Sequence, residues 1–130
     1  MEPRTRAHLQ TAARNRNIAN ALIDPSSSIV VQPPLDWAVV AAFYAAVHYV
    51  NAYLWERQRY EPHTHEAREN AVARAVEVRA AYDAYARLRG LAYRARYVPL
   101  FQISRPNAQG ALVDLDRVEK TVLAALQVTT

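Results

Sequence analysis

The chain has 130 residues, one domain's worth, and a single core of that size can stabilise itself. It contains no cysteine, which excludes disulfide frameworks, thiolate metal sites and cysteine nucleophiles, and it sets 2 glycines against 25 alanines, which argues against glycine-rich phosphate loops and turn-rich β-sandwiches. The net charge is +4, and 15 of the 16 basic residues are arginine, whose planar fork suits phosphate and carboxylate. Nucleic acid is thus a compatible partner, although a GC-rich coding bias also yields arginine and alanine together.

The first predicted helix runs from about Arg4 to Ile23. Leu9, Ala12, Ala13, Ala19, Leu22 and Ile23 recur near the 3.6-residue period, with arginines on the other faces. Asp24-Pro25 and three serines break it. A short extended run, Ile29 to Val31, ends in Pro33-Pro34, and Asp36 is the expected N-cap of the next helix. That second helix spans about Asp36 to Arg57 and is apolar around most of its circumference. Its alanines at 38, 41, 42, 45, 46 and 52 let neighbouring backbones approach, so it is expected at the centre. Tyr60-Glu61-Pro62 ends it.

The third predicted helix opens at Thr64 and continues to Arg89, with Gly90 as its stop. Its stripe is Ala71, Ala75, Val78, Tyr82, Tyr85 and Ala92, with one polar position, Arg89. Tyr93 to Tyr97 is expected as a short extra helical turn, and Pro99 closes it. Ser104 to Gly110 reads as a loop, and the last helix covers about Leu112 to Gln127. The expected architecture is all-α: one domain over residues 1–130, an up-and-down four-helix bundle with that short turn before the last helix.

Trp37 to Trp55 is apolar enough to require a membrane test. His48 and Asn51 in its middle argue for a helix buried in a bundle rather than in lipid. The N-terminal residues have no apolar signal region, so the expected location is cytoplasmic, with no membrane partner.

Phe43-Tyr44-Ala45-Ala46-Val47-His48 is followed by Asn51-Ala52-Tyr53-Leu54, a turn with Pro62, and then His65 and Arg68. Further on stand Tyr85-Ala86-Arg87-Leu88 and Ala95-Arg96-Tyr97. This pattern, over about residues 5 to 98, resembles the HEPN superfamily of small helical bundles. The resemblance implies a dimer-forming four-helix bundle that binds nucleotide or RNA. It also implies a defence or toxin–antitoxin setting, with a cognate antitoxin or a nucleotidyltransferase as a possible partner. Many relatives are metal-independent endoribonucleases. Their motif is Arg, four to six residues, then His, on a late core helix at a dimer interface. Here the matching spacings are Arg57 to His63 and Arg59 to His65, and both straddle Pro62.

Metal-independent RNA cleavage needs a base near neutrality and a cation for the phosphate, roles that suit His and Arg. The catalytic pair expected from the sequence is Arg59 and His65, assisted by Arg68. Arg59, His63, His65 and Arg68 are expected together at one end of the bundle, beside a helix N-terminus. His48 lies about 13 Å up the second helix and is expected not to share a phosphate with His65. Its expected environment is a buried hydrogen bond to a tyrosine or to an acid such as Glu77, or else a pocket completed by Arg96 or a second chain. His48, His63, Arg68, Arg96 and Tyr44 are the candidate ligand-binding residues. His63 and His65, two apart, fix no third metal ligand, so neither metal nor cofactor is expected. Three functions fit: a non-catalytic nucleotide- or RNA-binding module, a metal-independent endoribonuclease, and a structural interaction partner.

Overall fold

A computed structural model describes residues 1–24, 26 and 34–127. The extended run expected over Ile29 to Val31 lies outside the described residues. The chain is all-α among those residues: α1 (Pro3–Ile23), α2 (Leu35–Gln58), α3 (His65–Arg74), a single 3₁₀ turn (Arg79–Ala81), α4 (Tyr82–Tyr97) and α5 (Arg105–Leu126). They form a helical bundle around α2.

α2 is central, as its composition predicts: 13 of its 24 residues are buried. It is also long and apolar enough to cross a membrane by length and composition, and 72% of its apolar window is buried inside the bundle. It packs on α1, α3, α4 and α5, most extensively on α1. The α1 face that meets the core is Thr5, Ala12 and Ala19, seven residues apart and all fully buried. Small side chains at that spacing let two helices run close together.

α2 begins one residue before Asp36, which occupies its first turn and is not the N-cap; Pro34 holds that position without a side-chain bond. A carboxylate in the first turn still favours the helix electrostatically. The helix ends at Gln58. Arg59 is left-handed (φ 51°), and its N–H donates to the Trp55 carbonyl at 3.0 Å while Tyr60 N–H donates to Leu54 at 3.3 Å. This is a Schellman-type stop built on arginine where glycine is the usual choice.

The third helix is not continuous. It breaks after Arg74, Ala75 being extended (φ −87°, ψ 109°), and resumes through the 3₁₀ turn. The reason is the spacing of Val72, Ala75, Val78 and Ala81, all of them buried. Uniform steps of three drift about 60° each around an α-helix, which places the first and last on opposite sides. Breaking the helix and using a tighter turn brings all four to the core. The β-branched Val72, Val76 and Val78 further weaken a continuous helix.

Gly90 lies inside α4 and stops nothing. Tyr93 to Tyr97 is the end of α4, and the extra helical turn stands before α4 instead. The stretch expected as a loop from Ser104 to Gly110 is the first turns of α5. Ser104 is its N-cap, its hydroxyl accepting from Asn107 N–H at 3.1 Å, and Pro106 sits in the first turn, where a missing N–H is harmless.

Candidate functional site

The link from α2 to α3 decides where the polar residues meet. Arg59 to Thr64 is not a tight turn. Six residues in open conformation span about 20 Å, and that equals about fourteen helical residues of α2. α3 therefore starts well back along α2, beside Phe43 and Tyr44. The His65 ring lies 5.2 Å from Phe43 and 6.4 Å from Tyr44, centroid to centroid. The site expected at the end of the bundle lies instead along its middle.

Arg68 is the centre of this site and is 7% exposed. Its Nε donates to Asn51 Oδ1 at 2.9 Å, Nη1 to His65 Nδ1 at 3.1 Å, and Nη2 to the carbonyl of the buried Pro62 at 3.1 Å. All three acceptors are neutral. Next to it, Arg96 Nη1 donates to Tyr44 Oη at 2.7 Å, and its guanidinium lies over the rings of Tyr44 (5.4 Å) and Tyr97 (4.9 Å). Among the described residues neither Arg68 nor Arg96 has a carboxylate partner. Arg89, by contrast, is paired with Glu69 at 2.6 Å.

The cations act on His65. Burial comes first in pushing its pKa below the ordinary 6.5; Arg68, Arg89 and Arg96 push the same way, and Glu69 opposes them. An arginine can only donate, so His65 Nδ1 is the acceptor and its proton sits on Nε2. In this arrangement His65 presents a donor, not a base.

His48 pairs with His8 of α1, Nδ1 to Nδ1 at 3.0 Å, and not with Glu77. Glu77 accepts instead from Tyr53 Oη at 3.0 Å and Arg57 Nε at 3.3 Å. His8 Nε2 is buried without a hydrogen-bond partner and lies 3.7 Å from Glu61 Oε2. Glu61 in turn pairs with Arg4 at 3.2 Å. The carboxylate favours a proton on His8 Nε2, so His8 Nδ1 accepts from His48 Nδ1 and leaves the lone pair of His48 on Nε2. Burial lowers the His48 pKa, as do His8 and Arg68, against Glu61. Arg68 thus lies within electrostatic reach of both His48 and His65.

Arg59 is engaged elsewhere. Its Nη1 donates to the Trp55 carbonyl at 2.8 Å and its Nη2 lies 3.0 Å from Glu2. No described contact joins it to His65. His63 is exposed, one residue before the α3 N-cap. Among the described residues no group of three His, Cys, Asp or Glu side chains is placed to hold a metal ion.

No family model matches this chain, and no curated protein and no solved structure matches it either. The site is therefore read from its own residues. His8 and Arg89 are members that the sequence reading missed. His8 had a signal: it stands one turn beyond Thr5 on the Thr5–Ala12–Ala19 face. Arg89 had one as well, as the polar position in the stripe from Ala71 to Ala92, but its partner Glu69 could not be read because that pairing depends on the break between α3 and α4.

Proposed function

We propose that this chain is a HEPN-like helical module that binds a phosphate-bearing ligand, a nucleotide or RNA, along the middle of the bundle. One observation carries the reading: two arginines without a carboxylate partner among the described residues, Arg68 and Arg96, flank His65. A buried cation is costly unless an anion or a full set of hydrogen bonds offsets it. Arg68 has three bonds, all to neutral groups, and retains donors in its planar fork. A phosphate bridging Arg68, Arg96 and the Nε2–H of His65 meets the remaining demand. The tyrosines beside it suit an aromatic ligand. The defence or toxin–antitoxin setting and the homodimer belong to the same reading and rest on the sequence resemblance.

The test is binding of labelled single-stranded RNA at several salt concentrations. Two neutralised phosphates on a single strand give a log–log salt slope of about −1.4 or steeper. Arg96→Ala is expected to weaken binding and to flatten the slope by about 0.7. Arg59→Ala is expected to leave both unchanged. Equal binding by wild type and Arg96→Ala would exclude this site.

A second reading, metal-independent RNA cleavage, is favoured by the Nε2 lone pair of His48, which lies within electrostatic reach of Arg68. His48 then takes the 2′-hydroxyl proton and Arg68 supports the phosphorane. Cleavage in EDTA that disappears in His48→Ala supports it, and absence of cleavage by the wild type leaves the binding module.

A further inference from the structure

A cavity of about 420 Å³ lies between the start of α2 and the end of α4, lined by Asp36, Trp37, Val40, Ala95 and Arg96. Its size falls in the ~300–1,000 Å³ range of small-ligand clefts. Trp37 is 59% exposed, and its indole is the one aromatic ring in the wall of this cavity. Arg96 forms part of the cavity wall and also belongs to the cationic cluster, through Tyr44. Among the described residues its Nε is buried without a hydrogen-bond partner. Trp37 and Tyr44 are seven residues apart on α2, two turns or about 10 Å along one face. That is the reach of a nucleotide from base to phosphate.

We propose that this cavity is a nucleobase subsite and that it takes guanine. The proposal rests on the phosphate-binding reading of the Arg68–Arg96 cluster. The indole of Trp37 supplies a flat face for stacking, which is worth a large affinity factor for any base. Discrimination comes from Asp36. An ionised carboxylate only accepts, and it accepts best from two parallel donors. Among the bases, guanine alone offers that pair, N1–H and the N2 amine. Adenine and cytosine each offer one amine beside an acceptor, which faces the carboxylate unfavourably. Arg96 joins the two halves, its guanidinium serving the phosphate while its stem closes the base cavity.

The test is calorimetric titration of the full chain with GMP, IMP, AMP and inorganic pyrophosphate. A parallel arm uses a short single-stranded RNA carrying one guanosine and its inosine counterpart. GMP is expected to bind about tenfold or more tighter than IMP and AMP, because a site built for a donor leaves its acceptor unpaired with the analogue. Trp37→Ala is expected to weaken GMP by about tenfold or more while leaving pyrophosphate unchanged. Asp36→Asn is expected to erase the preference for GMP over IMP, again with pyrophosphate unchanged. Trp37 and Asp36 are exposed, and circular dichroism checks that both variants fold. A preference seen with the free nucleotide identifies a nucleotide site; one confined to the oligonucleotide identifies guanosine within RNA, and both support the subsite. Pyrophosphate binding with no preference among bases, or with GMP indifferent to Trp37→Ala, overturns the subsite and leaves the phosphate reading intact. Failure of pyrophosphate and of every nucleotide and RNA overturns both.

Discussion

His65 and Arg68 stand one turn apart at the start of α3, and Arg68 Nη1 donates to His65 Nδ1 at 3.1 Å. That single bond fixes the tautomer of the imidazole and turns its Nε2–H outward. It also replaces the pairing of His65 with Arg59 that sequence spacing suggests. Arg59 caps α2, whereas Arg68, buried and joined to Asn51 and Pro62, is the cation that holds the link and α3 against α2.

Stability should fall as the solution is acidified below about pH 6.5. His48 and His65 both have folded pKa values below their ordinary 6.5. The unfolded chain then binds more protons than the folded one, so stability is complete above 6.5 and declines as pH drops toward the folded values. The groups facing His48 are His8, Arg68 and Glu61, and those facing His65 are Arg68, Arg89, Arg96 and Glu69. The lowered carboxyls of Glu56 and Asp24 act only below their own ordinary values of 4.5 and 3.8. Tm measured from pH 8 to 5.5 is expected to fall, and less so in a His48→Asn/His65→Asn variant. A Tm that rises on acidification would refute the assignment.

A second polar network is structural. Glu119 of α5 is 8% exposed, accepts from Tyr49 Oη at 2.5 Å and pairs with Arg16. Burial, and then the hydrogen bond to the carboxylate, push the Tyr49 hydroxyl far above its ordinary pKa of 10. Glu119→Ala leaves a buried hydroxyl and a half-exposed guanidinium without their acceptor and is expected to cost about 2–3 kcal/mol. Tyr49→Phe removes one bond and is expected to cost about 1 kcal/mol. Chemical denaturation measures both, and a smaller loss for Glu119→Ala than for Tyr49→Phe would contradict the network.

The two glycines offer a stabilising change. Gly90 and Gly110 lie inside α4 and α5 with negative φ, and a Cβ added at either meets nothing within 4 Å. Alanine is the better helix former, so Gly90→Ala and Gly110→Ala are each expected to add about 0.5–1 kcal/mol. Thermal unfolding should rise by a few degrees per substitution. A loss of stability would show that one of these positions needs its bare backbone.

Much of the fold was legible because periodicity is a strong signal in long helices. α1 and α2 lie within two residues of the limits their patterns suggest. The central place of α2 followed from its apolar circumference. The break at Ala75 was missed although its cause was visible, since valines and alanines at strict three-residue steps do not suit an α-helix. Gly90 is punctuation only when the chain around it agrees, and here packing carries α4 through it; the stretch from Ser104 to Gly110 is helical because Ser104 caps it. Tyr44 and His48 were legible as polar positions in the apolar α2, and His65, Arg68 and Arg96 as elements of the HEPN-like pattern. Their meeting was not, because it depends on the open course of the link after Arg59, which has no periodicity to read.

The most direct test of the phosphate site is a pH titration of the histidine ring nitrogens by nuclear magnetic resonance, with and without pyrophosphate. Without ligand, His65 is expected as the Nε2–H tautomer with a pKa below 6.5. A bound anion offsets Arg68, Arg89 and Arg96, so its pKa is expected to rise, and affinity to increase as pH falls. His63, exposed and outside the cluster, is expected to move little. A His65 pKa unchanged by saturating pyrophosphate, or a shift at His63 alone, would contradict a phosphate site at Arg68 and Arg96.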